Sequence, residues 1–310
     1  MKIRGDLLIL AVVLAASCGI LQPLSAQNEK QPANKVVTMT VTAHGQRNQP
    51  PPPVQTEDVQ VHQKKDLLHV ADWKPATGPL NFYIVIDDAL SQDAALNFGE
   101  IKDFINGLPE NTRVAVGYAS HGTVAVAQDF TEDRDKAAKA LRIPLGNMGS
   151  FASPYLALSD LVKRLPDAPE RREILFISSG FDPFGGNQLN NTYLSTAVEQ
   201  AQRSNVQVFN LYAEGASHRS RHFFAVSNAQ GNLAKLADDT GGDFYALGTG
   251  SPISFKPHLD ALLNALAHQY ILSVNIPAKD KGYWTSVKIS SELHGVEFDH
   301  ASSVWVLANQ

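Results

Sequence analysis

Hydrophobic positions change period twice along the chain and divide it into three stretches. Residues 35–43 (KVVTMTVTA) alternate apolar and polar, with Val37, Met39 and Val41 on one face. A period of two predicts a half-exposed antiparallel strand. Residues 46–57 follow, with consecutive prolines at Pro50 to Pro53. Such a run has no free N–H groups for a ladder and favours polyproline II, so it predicts a loop; composition favours a strand connector over a PxxP partner motif. Short strands are expected at 58–62 and 67–73.

Between Leu80 and about Leu272 the pattern becomes apolar strands alternating with amphipathic helices. Strands are predicted at 82–87, 114–119, 124–128, 174–178 and 206–212, with a sixth near Phe244. The first helix is expected over 94–107, where Phe98, Ile101, Phe104, Ile105 and Leu108 recur at helical spacing before Gly107 and Pro109 stop it. Ser153 reads as an N-cap and Pro154 as the first helical residue of a segment carrying Leu158, Leu161, Val162 and Leu165. Helices are also expected at 194–203, 232–239 and 259–270. Alternation of this kind means parallel pairing through right-handed crossovers, hence a doubly wound α/β sheet with helices on both faces. Residues 119–123 (ASHGT) read instead as a tight link between antiparallel strands, one at a sheet edge.

The tail returns to short strands, expected at 270–276, 285–290, 296–299 and 303–307, with a turn at 279–282 (KDKG). These are expected to pair with the N-terminal strands in a small antiparallel, sandwich-like module. The resulting division is 27–79, an N-terminal β segment with its Pro-rich loop; 80–272, the α/β domain; and 273–310, a C-terminal β segment.

The first 26 residues change the picture of where the chain works. Lys2 and Arg4 precede a ten-residue apolar run (LLILAVVLAA), then Pro23 and the small residues before Gln27. That run is too short to span a bilayer and fits a cleavable export signal, residues 1–26. The expected site of action is outside the cell, in the periplasm or at the cell envelope. Cys18, the single cysteine, lies inside this segment. Cleavage after Ala26 leaves no thiol; the alternative is a lipoprotein anchored at Cys18, since 15–18 (AASC) resembles a lipobox with Ala in place of Leu. No later stretch has the ~18 unbroken apolar residues of a membrane span. A net charge of −5 without a Lys/Arg run points away from nucleic acid.

Candidate chemistry is sparse. The chain lacks GxSxG, HExxH, GxxxxGK[ST] and GxGxxG motifs, and its ten histidines are scattered. His218 and His222 are four apart, but in sequence that reads as loop. Ser178 or Ser179 as the nucleophile of a hydrolase is the competing enzymatic reading, without an identifiable base.

At this point the motifs resemble a known family. Residues 82–91 (FYIVIDDALS) resemble the first strand and metal loop of von Willebrand factor A domains. Residues 174–180 (ILFISSG) are similar to their fourth strand, 205–212 (NVQVFNLY) to a later strand, and 236–242 (LADDTGG) to the "LA..TGG" segment. With the flanking β regions, the chain resembles the secreted VWFA-related family of acidobacterial type. That resemblance implies a non-catalytic protein-binding or adhesion module, with an extracellular or envelope protein as partner. It also implies a divalent cation such as Mg²⁺ at the carboxyl ends of the strands, held by Asp-x-Ser-x-Ser plus a Thr and an Asp from other loops. Here Asp87 and Ser91 stand at two of those positions, Ala89 replaces the first Ser, Ser153 falls at the Thr position and Ser179 replaces the Asp. Asp88 or Asp182 could replace the lost charge. Mg²⁺ demands six oxygens, so the expectation is a degenerate site that binds weakly or not at all. The same residues have simpler roles open to them: Ser153 as a helix cap, Asp87 capping backbone N–H groups, Ser178 and Ser179 filling a turn.

Two loops should share that edge. The first, 215–224, carries His218, Arg219, Arg221, His222, Phe223 and Phe224. Its arginines could grip a carboxylate directly; the alternative is a solvated loop with both phenylalanines tucked into the core. The second, 180–186 (GFDPFGG), presents Phe181 as a contact residue.

Overall fold

The structure, a computed structural model, describes residues 34–46, 50–146, 152–166, 170–185, 190–216 and 222–309. Residues 1–26, where an export signal is expected, lie outside the described residues with Cys18, as do His218, Arg219 and Arg221.

Strand β1 (Asn34–Gly45) corrects the half-exposed expectation, because both of its faces are buried from Met39 to Ala43. Met39 and Val41 enter an apolar core, while Thr40 and Thr42 are buried on the other face. That polar face meets buried amide side chains rather than water, which a hydroxyl tolerates when partners are present. Strand β2 (Val59–Gln63) follows the Pro-rich loop. The single strand expected at 67–73 is divided into β3 (Asp66–Leu68) and β4 (Val70–Pro75), which join different sheets.

The α/β part is built on β5 (Leu80–Asp87), β6 (Thr112–Ser120), β7 (Thr123–Thr131), β8 (Arg171–Ser178), β9 (Val206–Tyr212) and β10 (Phe244–Tyr245). They form one sheet in the order β10-β9-β8-β5-β6-β7. All neighbours are parallel except β6 and β7, joined by the tight turn expected at 119–123. There His121 (φ 52°) and Gly122 (φ 78°) both take positive φ, as a primed hairpin turn requires. β5 is buried along its whole length, which explains its unbroken apolar run.

Helices α1 (Phe98–Gly107) and α2 (Arg134–Lys139) cover one face with α6 (Lys256–Ala267). The other face is covered by α3 (Pro154–Arg164), α4 (Thr192–Arg203) and α5 (Phe223–Thr240). Each fully buried Ile, Leu or Phe in these two layers, such as Ile84, Phe209 or Leu158, contributes about 1.5–3 kcal/mol. Three boundaries move. The first helix opens with a 3-10 turn over Gln92–Asn97, so α1 proper starts at Phe98. α5 begins at Phe223, nine residues before the expected start, because Phe223 and Phe224 face outward and break the apolar stripe that marks a helix. α6 ends at Ala267, where His268 caps it and the chain turns into strand.

That strand, β11 (Gln269–Pro277), pairs antiparallel with β1, placing Met39 opposite Leu272, and on its other side with β4, placing Trp73 opposite Leu272. The remaining strands are β12 (Tyr283–Ser286), β13 (Lys288–Ser291), β14 (Val296–His300) and β15 (Ser303–Val306). The strand expected at 285–290 is thus divided at Val287, because β12 pairs with β15 and β13 with β2. β14 lies against β1. Met39, Val61, Trp73, Val274, Ile289 and Val306 share one core, so the antiparallel layer is made from the two ends of the chain. The doubly wound class with an added antiparallel layer is the observed architecture.

Candidate functional site

β5 has β6 on one side and β8 on the other, so the strand order reverses between β5 and β8. In open α/β sheets the crevice at such a point, beyond the carboxyl ends of the strands, is where ligands bind. Asp87 ends β5 and Ser178 ends β8, and both are buried.

The two are bonded to each other: Ser178 Oγ donates to Asp87 Oδ2 at 2.8 Å, and the Ala89 N–H donates to Oδ1 at 2.9 Å. Ser178 Oγ accepts in turn from the Gly180 N–H at 2.9 Å. Gly180 needs its glycine, since its φ is +66° and a Cβ would stand 2.5 Å from the Ala229 carbonyl oxygen. Burial raises the Asp87 carboxyl to about 6 against the hydrogen bonds from Ala89 and Ser178.

A roof closes over this pair. The segment after β9 crosses the end of β8, where the Ala213 N–H donates to the Ser178 carbonyl at 3.1 Å. It then pairs with the segment after β5: Leu90 bridges Gly215, the Ser91 N–H reaches the Glu214 carbonyl at 2.9 Å, and the Ala216 N–H reaches the Ala89 carbonyl at 2.9 Å. Ser91 Oγ accepts from the Asp93 N–H at 3.4 Å and caps the 3-10 turn.

A second carboxylate joins the helices. Ser153 caps α3 through the Tyr155 N–H at 3.2 Å and donates its own proton to Asp182 Oδ2 at 2.5 Å. Asn191 caps α4 and donates to the same oxygen at 3.1 Å. The Phe184 N–H occupies Oδ1 at 3.0 Å. Tyr155, fully buried, donates to the Gly180 carbonyl at 3.0 Å, and burial beside Asp182 and Asp87 holds its phenol well above the ordinary range.

Asp88 faces away from this set. Both its oxygens take Arg142 in a bidentate pair at 2.7 Å, and the guanidinium lies 3.7 Å from the Tyr118 ring centre. Arg142, Tyr118, Tyr155 and Asn191 escape sequence reasoning, because nothing in their local pattern marks a partner that is remote along the chain.

These residues do not fit a resident divalent ion. The Asp87 and Asp182 oxygens accept from the protein, the Ser153 and Ser178 protons point at carboxylates, and Asp88 is held by Arg142. Ser178 is equally unlike a nucleophile, being fully buried with its proton on a carboxylate rather than a histidine.

Among the described residues, the rim segments expose several large apolar side chains. Leu96 follows β5, Phe184 follows β8, Phe223 and Phe224 open α5, and Ile253 follows β10; all stand exposed, Phe224 at 81% and Ile253 at 98%. Phe223 and Phe224 meet edge to face at 5.7 Å, which corrects the alternative that tucks them into the core: helix α5 turns them outward. His222, just before α5, is exposed too, and Phe181 is half-buried.

No protein-family model matches the chain, and no curated protein matches it in sequence. Among solved structures it is similar to the conserved protein BatB from Bacteroides thetaiotaomicron, at 15% identity and TM-score 0.45, covering 61% of this chain and 97% of that one. It is similar to the vWF domain of the type V pili tip protein Mfa5 from Porphyromonas gingivalis, at 12% identity and TM-score 0.45, covering 60% and 94%. A von Willebrand factor type A structure from Catenulispora acidiphila covers 92% of this chain and 75% of its own length, at 11% identity and TM-score 0.43. The fold assignment rests on the strand order and register described above.

Proposed function

We propose that the chain is an exported, non-catalytic binding module of the secreted VWFA-related kind, which docks a protein partner on the carboxyl rim of its six-stranded sheet. One observation carries this reading: the polar groups at the switch point are sealed by one another, while the loops around them hold bare apolar side chains. Exposed apolar side chains on the loops where this architecture binds ligands suit an interaction surface.

The metal ligands suggested by sequence, Asp87, Ser91, Ser153 and Asp182, act in this reading as ties that stiffen the rim. Partner contact falls to Phe184, Phe223 and Phe224, with Phe181 at their margin. Arg219, Arg221, His218 and His222 supply recognition of an acidic group on the partner, since arginine pairs with carboxylates bidentately. The work place is the envelope or beyond, reached through residues 1–26, or held there by a lipid on Cys18. No helix among the described residues is long and apolar enough to cross a membrane.

The test is site-specific photo-crosslinking in cells with a benzophenone side chain at position 224, at 184, and at the distant positions 67 and 126. The reading expects one discrete adduct from the first two that disappears when Arg219 and Arg221 become Glu. Adducts from 67 or 126 alone, or none from the rim, would place the contact elsewhere.

A further inference from the structure

At the opposite end of the sheet, a polar chain runs through the junction between the parallel sheet and the antiparallel layer. Arg171 Nη1, at the start of β8, donates to Gln269 Oε1 at the start of β11. Gln269 Nε2 donates to Gln207 Oε1 of β9 at 2.8 Å and reaches Thr42 Oγ1 of β1 at 3.5 Å. Gln207 Nε2 donates to the Gly241 carbonyl at 2.8 Å and the Thr40 carbonyl at 3.3 Å. Gln207, Gln269, Thr40 and Thr42 are all buried.

Glu173 sits beside this series without joining its hydrogen bonds. Its side chain is 1% exposed, and neither carboxylate oxygen has a hydrogen bond of good geometry. The nearest cation, Arg171, stands 3.7 Å away, and its Nη1 is committed to Gln269. Phe82 lies beside it on β5 and Gln207 beside it on β9. From β11 comes Gln269, and from β1 Thr40 and Thr42, so among the described residues Arg171 is the one charged group acting on it. A buried anion with no donor is far costlier than a buried neutral acid.

We infer that Glu173 is a proton-operated latch on this junction: the neutral acid lets the β1 and β11 layer close on the sheet, and loss of its proton loosens that contact. Burial pushes its carboxyl up to about 7, against the pull of Arg171 and the nearby Gln269 amide, which brings the event into the range an exported protein meets. A raised folded pKa means that the closed form holds the proton, so closure is complete below about 4.5 and weakens as pH rises through 7.

The full chain is tested by hydrogen exchange at pH 5.5 and 8.0, with rates corrected for intrinsic chemistry. At the higher pH, protection of peptides spanning β1 and β11 should fall at least about ten-fold further than that of the β5 and β6 peptides. Glu173→Gln, and Glu173→Met as a second variant, should abolish that difference. Equal protection at both pH values in the parent, or an unchanged difference in the variants, overturns the proposal. If neither variant folds, carboxyl ¹³C titration of the parent decides: a midpoint near the ordinary 4.5 overturns the latch and one near 7 supports it.

Discussion

The Ser178 hydroxyl donates a 2.8 Å hydrogen bond to Asp87 Oδ2, joining the carboxyl ends of the two strands that flank the switch point. Both side chains are buried beneath the 213–216 segment, so the bond closes the crevice and presents nothing to a ligand. Removing one partner should therefore be felt as stability. Ser178→Ala leaves an Asp87 oxygen buried without a donor and should cost about 1–3 kcal/mol. The same change in an Asp87→Asn background should cost clearly less, and a urea double-mutant cycle measures the difference. Additive losses would show that the pair is not coupled.

The pH profile of Asp87 has a definite sign. Burial lifts its carboxyl from 3.8 to about 6, with the Ala89 and Ser178 hydrogen bonds opposing and Asp88 adding to the rise. The folded chain thus holds this proton more tightly than the unfolded chain. That contribution to stability is complete below about 3.8 and is lost as pH rises through about 6. Asp87→Asn should flatten this part of the curve, losing about 1–3 kcal/mol less than the parent between pH 4.5 and 7.5. Urea midpoints at the two pH values check it; parallel losses would mean an ordinary carboxyl.

Arg142 and Asp88 form a bidentate ion pair at the rim, with two bonds at 2.7 Å and the guanidinium against Tyr118. Arg142 is 43% exposed, so solvent screens its half of the pair, whereas Asp88 is buried. Arg142→Lys keeps the charge but loses the fork and the stacking, and should cost about 0.5–1 kcal/mol. Arg142→Ala strands the buried carboxylate and should cost about 1–3 kcal/mol. Equal stability of the two variants would mean that charge alone matters.

Divalent cations should not stabilise the chain. An ion at ~100 times its dissociation constant adds about 2.7 kcal/mol, which is several degrees in melting temperature for a chain of this size. With millimolar Mg²⁺ or Mn²⁺ against chelator, the expected change is under about 1 °C. A larger shift that Asp87→Asn abolishes would restore the cation site.

Much of the architecture was legible because strand and helix leave local periods. The unbroken run at Phe82 to Ile86, the turn at His121 and Gly122, and the cap at Ser153 each carry their cause within a few residues. The start of α5 did not, because Phe223 and Phe224 face outward and break the stripe that marks a helix. Thr40 and Thr42 misled in the other direction, since a polar residue in alternation reads as solvent-facing whatever lies opposite.

The order of residues by itself determined the alternating α/β class and the antiparallel ends. Only the tertiary structure decided what the remaining polar groups do: Ser178 with Asp87, Ser153 with Asp182, Arg142 with Asp88, and Glu173 buried beside Arg171 without a hydrogen bond of good geometry. The reason is physical. A backbone period is a property of neighbours, whereas the fate of a buried polar atom depends on which distant segment supplies its partner, and that is fixed when the layers close.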